Sequence, residues 1–231
     1  EHEVPIAEYC LLSMLEAEIN LNKMNAQLKK GNWKGYFSSS SFHGELLNKN
    51  LGIIGYGHIG KEIAKRAKAF KMNISFLVRN INKYKSNKYI KFISIQNIKK
   101  EINKFDYLII ACPLNDETKN LINFNLMKNM NKNSVIINIA RGPIINEADL
   151  YKVLKNKIIR AAVIDVWYNY PKDSITKKLY PSKYPLHKLD NITFSPHSSA
   201  WSSQLWDRRF KFVCENLENL YNNKRIKNVV S

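Results

Sequence analysis

Residues 51–70 read LGIIGYGHIGKEIAKRAKAF and carry the clearest structural signal in the chain. Leu51–Ile54 is a short apolar run typical of a buried strand, and Lys61–Phe70 has the apolar spacing of a helix. Between them lies a GxGxxG motif, a pattern that is informative only where it connects a strand to a helix. Its position here therefore predicts the phosphate-binding turn of a dinucleotide-binding domain.

The three glycines of this motif have separate structural roles. Gly55 allows the tight turn, Gly57 lets the backbone approach a pyrophosphate, and Gly60 permits close packing of helix on strand. The backbone amides of His58 and Ile59 would then face the phosphate charge at the helix N-terminus. The alternative is that the glycines form a tight strand-to-helix turn and nothing more.

Apolar runs and helical spacing alternate along the rest of the chain. Further strands are predicted at Asn73–Val78, Tyr107–Ala111, Ser134–Ile139, Ile159–Val166 and Ile192–Phe194, and helices near Leu121–Met130 and Asn146–Lys155. Continuous apolar runs such as VIINIA suit strands that are buried on both faces, as in a parallel sheet covered by helices. We therefore predict a doubly wound α/β fold of the Rossmann type.

Helices flank the predicted nucleotide-binding domain on both sides. One long helix is expected from Val4 to Lys30 and an amphipathic helix from Ser202 to Asn222, while residues 32–50 have the composition of a connecting loop. The predicted organisation is a linking helix in residues 1–31, a dinucleotide-binding domain in 32–200 and a returning C-terminal helix in 201–231.

Composition excludes several other classes. The net charge is +18, but the lysines are spread along the chain without a compact basic block, so we expect no nucleic-acid partner. No stretch approaches the roughly 18 apolar residues of a membrane helix. The three cysteines lack CxxC spacing, which indicates neither disulfides nor a metal site and fits a soluble protein of the reducing cytoplasm.

The choice of cofactor is predicted from the end of the second strand, about 20 residues after the glycines, where an acid would bind the ribose of NAD. That position reads Leu77-Val78-Arg79-Asn80 and holds no acid. Arg79 could instead pair with a 2′-phosphate. We therefore predict NADP, with NAD as the alternative if Arg79 only stacks on adenine.

Other motifs occur in order along the chain. They are Cys112-Pro113-Leu114 with Glu117-Thr118 and Leu121-Ile122, Ile137–Gly142 (INIARG), Ala162–Trp167 (AVIDVW) and Ser195-Pro196-His197. Together with the glycine motif they closely resemble the D-isomer-specific 2-hydroxyacid dehydrogenase family over nearly the entire chain. The resemblance implies hydride transfer between NAD(P) and a small 2-hydroxy or 2-oxo acid, as in glyoxylate and hydroxypyruvate reductases.

The resemblance also implies roles for individual residues. Arg141 would bind the substrate carboxylate and polarise its carbonyl, and His197 would be the general acid and base. Asp165 would receive the nicotinamide carboxamide, although a strand-end residue capping nearby backbone is the alternative. The remaining implied contacts are Ala140 and Ser199 at the nicotinamide, Cys112 and Pro113 on the adenosine side, and Thr118 near the pyrophosphate.

One position departs from the family pattern. Where the family has a carboxylate and a proline after the aspartate motif, this chain has Tyr170-Pro171. A phenol can hydrogen-bond an imidazole but supplies no negative charge to favour its protonated form. Our hypothesis is that Tyr170 orients His197; the alternative is a packed loop aromatic.

The resemblance further implies an N-terminal substrate domain of about 100 residues, most of which the chain lacks, so we expect a fragment with little activity alone. A homodimer through the linking helix is expected. The alternatives are a nucleotide sensor similar to corepressor relatives and a dehydrogenase acting on formate or phosphite.

Overall fold

The computed structural model describes residues 2–33, 42–173 and 178–228. Residues 34–41 of the predicted connecting loop lie outside them. The strands are β1 (Asn50–Ile54), β2 (Asn73–Val78), β3 (Ile90–Ser94), β4 (Tyr107–Ile110), β5 (Val135–Asn138), β6 (Ala161–Ile164) and β7 (Ile192–Phe194). The α-helices are α1 (Glu3–Ile19), α2 (Leu21–Leu28), α3 (His58–Ala69), α4 (Ile98–Glu101), α5 (Phe124–Met127), α6 (Glu147–Lys155) and α7 (Leu205–Tyr221).

The strands form one parallel sheet in the order β3-β2-β1-β4-β5-β6-β7. Helices α1 and α3 cover one face of it, while α4, α5 and α6 cover the other. The doubly wound α/β prediction is confirmed. The strand order switches sides at β1. The chain adds β2 and β3 on one side of β1 and then β4, β5, β6 and β7 on the other. Open α/β sheets bind ligands at the carboxyl ends of the strands beside such a point.

The prediction of one long helix over Val4–Lys30 is wrong. Asn20 adopts a left-handed backbone conformation (φ 56°) and separates α1 from α2. Asparagine tolerates this conformation better than most residues, and it interrupts the helix without the glycine or proline that would mark a break in the sequence. Helix α1 packs its apolar residues against α3, whereas none of the residues of α2 is buried.

Strand β3 was not predicted. It is an edge strand of the sheet, and its residues are only partly buried or exposed, so its sequence lacks the continuous apolar run of the central strands.

The helix predicted near Leu121–Met130 is a single turn, α5. The C-terminal helix lies within its predicted bounds, but of its residues only Leu205 is buried. Among the described residues, no helix combines the length and apolarity needed to span a bilayer.

Candidate functional site

The glycine turn joins β1 to α3 beside the carboxyl end of β4. Gly55 has a φ of +106°, and a Cβ atom on it would lie 2.7 Å from the carbonyl oxygen of Ala111. A Cβ atom on Gly60 would lie 2.6 Å from the carbonyl oxygen of Gly55. Gly55 and Gly60 are therefore required by the fold itself.

Gly57 differs from its neighbours. A Cβ atom placed on it would meet no atom within 4 Å, so packing does not require a glycine there. Gly57 is also the N-cap of α3 and brings no side-chain acceptor to the first amides of the helix, which begins at His58. Open space in front of a helix N-terminus fits a bound phosphate group, because the amides and the helix dipole both attract an anion.

A cavity of about 700 Å³ opens at this edge of the sheet. Of the residues predicted to form the site, Ile59, Cys112, Pro113, Ala140, Arg141, His197 and Ser199 line it. They follow the glycine turn and the carboxyl ends of β4, β5 and β7. The structure thus brings the predicted arginine and histidine to one cavity beside the glycine turn.

Arg141 is held at the end of β5 by the buried side chain of Asn138. The Asn138 side chain accepts a hydrogen bond from the Ala140 amide (3.1 Å) and donates one to the Arg141 carbonyl (3.0 Å). The Arg141 guanidinium donates through Nη1 to the carbonyl of Ala140 (2.6 Å). Since a guanidinium has five N–H donors, this exposed side chain can still bind a carboxylate in the cavity.

The carboxylate of Asp165, at the end of β6, is fully buried. Its Oδ1 atom accepts hydrogen bonds from the Ser195 hydroxyl (2.6 Å) and the Ser198 amide (2.9 Å). Its Oδ2 atom accepts from the hydroxyl (2.6 Å) and the amide (3.2 Å) of Ser199. These are the contacts of a strand-end residue that caps nearby backbone, here the backbone of the loop that carries His197.

His197 lies in that loop with a left-handed backbone (φ 58°). Its Nδ1 atom is 3.0 Å from the hydroxyl oxygen of Tyr170. The same oxygen accepts a hydrogen bond from the Trp167 amide (2.9 Å). With 44% of its surface exposed, Tyr170 does not fit the alternative of a packed loop aromatic.

The NAD-binding domain of the D-isomer specific 2-hydroxyacid dehydrogenases matches residues 11–199. The chain belongs to this family. It is 32% identical to the D-3-phosphoglycerate dehydrogenase of Methanocaldococcus jannaschii over 99% of this chain and 41% of that protein. It is 31% identical to the hydroxypyruvate reductase of Thermotoga maritima over 86% of this chain and 60% of that one.

Among solved structures, the glycerate dehydrogenase related protein of Thermoplasma acidophilum is similar to the chain with a TM-score of 0.75 and 28% identity, covering 95% of this chain and 71% of that one. The chain spans about two fifths of the length of the phosphoglycerate dehydrogenase and about three fifths of the length of the hydroxypyruvate reductase. The family shows that the domain binds NAD(P).

Seven residues predicted to contact the cofactor lie outside the cavity lining: Gly55, Gly57, His58 and Gly60 of the glycine turn, and Arg79, Thr118 and Asp165. Arg79 follows β2, and its Nη1 atom is 3.1 Å from Oε2 of Glu117, with both side chains largely exposed. The Thr118 hydroxyl donates to the Pro113 carbonyl (2.7 Å) and accepts from the Asn115 amide (2.8 Å). Thr118 therefore shapes the loop after β4, and its hydroxyl is used within that loop.

Cys112 lines the cavity and is partly buried. Burial raises the pKa of the Cys112 thiol to about 11, so it stays neutral near pH 7. A neutral thiol is a poor nucleophile, which agrees with a packing role.

Sequence reasoning missed several residues around the cavity. His2, Ile6, Leu114, Ala200 and Trp201 also line it. Trp201 lies four residues after His197 and is 78% exposed; its proximity to the histidine motif was the available signal. Tyr9 on α1 contacts Ser195 (2.6 Å between the hydroxyl oxygens), a contact across 186 residues that no local pattern indicates.

Proposed function

We propose that the chain is the nucleotide-binding part of an oxidoreductase that transfers hydride between NADP and a small 2-hydroxy or 2-oxo acid, of the glyoxylate or hydroxypyruvate type. One observation carries the proposal: Arg141 and His197 line the same cavity, at the strand ends beside the glycine turn. Relatives with those reductase names support the substrate class.

The side chains present have the chemistry that this reaction requires. The bound nicotinamide supplies or accepts the hydride. Arg141 would pair with the substrate carboxylate through two parallel N–H bonds and stabilise negative charge on the neighbouring oxygen. His197, protonated on both nitrogens, would give its Nε2 proton to that oxygen during reduction and take it back during oxidation.

The Tyr170 hydroxyl can form a hydrogen bond with both the neutral and the protonated imidazole of His197. A phenol oxygen accepts hydrogen bonds and its O–H donates. The contact with Nδ1 of His197 therefore persists whether that nitrogen carries a proton or not. We propose that Tyr170 orients the imidazole in the position where relatives have a carboxylate, which can only accept.

The remaining cofactor contacts are proposed from position. Gly57 and the amides of His58 and Ile59 would bind the pyrophosphate, and Arg79 the 2′-phosphate of NADP. The exposed ion pair with Glu117 is worth about 1 kcal/mol or less, so Arg79 can exchange Glu117 for a phosphate. Asp165 is proposed to accept one further hydrogen bond, from the nicotinamide carboxamide, in addition to those from the loop that carries His197.

We also propose a homodimer and a reducing, cytoplasmic location. Four exposed apolar residues of α1 and α2 support the dimer, since unpartnered apolar surface favours association. They are Leu12, Leu21, Met24 and Leu28. The location is supported by the cysteines, which are free thiols at Cys10, Cys112 and Cys214.

The full-length protein tests the proposed activity. NADPH oxidation is followed with glyoxylate, hydroxypyruvate and pyruvate for the wild type and for Arg141→Gln, His197→Gln and His187→Gln. We expect activity with at least one acid and a loss of about 100-fold or more in the first two variants. His187→Gln is the control because His187 is exposed and stacks on Tyr180. Activity that survives both Arg141→Gln and His197→Gln would overturn the proposal.

A further inference from the structure

A directed chain of hydrogen bonds connects helix α1 to the loop that carries His197. Among the described residues, the groups hydrogen-bonded to the Asp165 carboxylate are the hydroxyls of Ser195 and Ser199 and the amides of Ser198 and Ser199. Each of them can donate, and a carboxylate can only accept. The Ser195 hydroxyl therefore gives its proton to Asp165 (2.6 Å). It follows that the hydroxyl of Tyr9, 2.6 Å from the Ser195 oxygen, is the donor to Ser195.

Asp165 in turn holds the backbone on the far side of His197. It accepts from the amides of Ser198 (2.9 Å) and Ser199 (3.2 Å), the two residues that follow the histidine. His197 has a left-handed backbone, a conformation that is costly for a residue with a Cβ atom and persists only where its surroundings impose it. The Asp165 carboxylate is hydrogen-bonded to residues on both sides of His197, to Ser195 before it and to Ser198 and Ser199 after it.

We propose that Tyr9, on helix α1, is a positioning residue for His197 that acts through Ser195 and Asp165. Its hydroxyl keeps Ser195 aligned on Asp165, and Asp165 fixes the loop. Burial, with a smaller contribution from the negative charge of Asp165, raises the pKa of Tyr9, so the hydroxyl keeps its proton near neutral pH.

Tyr107 provides a matched comparison. Its buried hydroxyl also joins the sheet to α1: it donates to the Glu18 carboxylate and lies 3.3 Å from the Met14 carbonyl oxygen. Tyr107 is the first residue of β4, so this contact lies at the amino-terminal ends of the strands. His197 lies beyond their carboxyl ends. Loss of either hydroxyl removes a hydrogen bond between α1 and the sheet, but only Tyr9 connects to the histidine loop.

The experiment compares the imidazole nitrogen NMR signals of His197 in the full-length protein, assigned by their loss in His197→Gln. The variants are Tyr9→Phe, Ser195→Ala, the double variant and Tyr107→Phe. We expect Tyr9→Phe to move the His197 signals and to lower kcat for 2-oxo acid reduction about fivefold, with the KM for NADPH changed less than about twofold. Tyr107→Phe should lower the Tm while leaving the signals and kcat unchanged.

The double variant tests whether the two hydroxyls form one chain. If they do, adding Tyr9→Phe to Ser195→Ala changes kcat and the signals little further, because residues of one network are not additive. Unmoved His197 signals in Tyr9→Phe, or equal movement in Tyr107→Phe, would overturn the inference. The kinetic part rests on the proposed function. If the wild type reduces no acid, that function fails, while the NMR comparison still decides the role of Tyr9.

Discussion

The hydroxyl oxygen of Tyr170 lies 3.0 Å from Nδ1 of His197 and accepts the Trp167 amide at 2.9 Å. The phenol is thus fixed by backbone on one side and contacts the imidazole on the other. No formal negative charge accompanies this contact, so the orienting role proposed for Tyr170 lacks the electrostatic bias toward the protonated imidazole that a carboxylate gives.

Substitutions of Tyr170 should separate the effect of orienting the His197 imidazole from the effect of placing a negative charge beside it. Tyr170→Phe removes the hydrogen bond and should lower kcat for reduction about tenfold. Tyr170→Glu restores a partner and adds negative charge, which favours the imidazolium, so reduction should persist to higher pH than in the wild type. The measurement is kcat across pH 5–9.

Tyr180→Phe is the control for this comparison, since Tyr180 is 47% exposed, close to the 44% of Tyr170, and stacks on His187 instead. An unchanged rate in Tyr170→Phe, or a Tyr170→Glu profile displaced to lower pH, contradicts the orienting role.

Substitutions of Arg79 and Glu117 should change the affinity for NADPH in opposite directions. Arg79→Gln removes the cation proposed to bind the 2′-phosphate and should weaken NADPH binding about tenfold while NADH is little affected. Glu117→Gln removes the competing carboxylate beside Arg79 and should tighten NADPH binding a few-fold. Fluorescence titrations with both reduced dinucleotides measure these affinities. Tighter binding of NADH by the wild type would reject the preference for NADP.

The Cys112 thiol should resist alkylation near neutral pH. Burial raises its pKa to about 11, and the thiolate is the reactive form, so at pH 8 roughly one thiol in a thousand is ionised. The rate of reaction with iodoacetamide should rise about tenfold per pH unit between pH 8 and pH 10 and level off above pH 11. Mass spectrometry compares Cys112 with the exposed Cys214 in the same sample. Modification of Cys112 at pH 8 as fast as Cys214 would show the pKa or the burial to be wrong.

Local patterns in the sequence predicted the glycine turn and the central strands because each of these elements constrains the residue types within a short stretch of sequence. Apolar runs such as Val135–Asn138 reflect burial on both faces, and the GxGxxG spacing reflects the turn itself. The edge strand Ile90–Ser94 has no such run, and Asn20 ends a helix without a typical stop signal. The contact of Tyr9 with Ser195 depends on the tertiary fold alone, so no local pattern could reveal it.

Gly57 distinguishes a cofactor-binding turn from a turn required only by the fold. A methyl group on Gly57 meets no protein atom within 4 Å, whereas one on Gly60 would lie 2.6 Å from the Gly55 carbonyl oxygen. Gly57→Ala should therefore keep the Tm of the wild type and occupy the space through which a pyrophosphate approaches. Gly60→Ala, the comparison variant, should lower the Tm.

The most direct measurement is a titration of wild-type and Gly57→Ala protein with NADPH, alongside thermal unfolding of both. The expected result is saturable binding by the wild type and a loss of about tenfold or more in affinity for Gly57→Ala at unchanged Tm. Equal affinity of the two proteins, or no binding by the wild type, would contradict the assignment of this edge of the sheet to a dinucleotide.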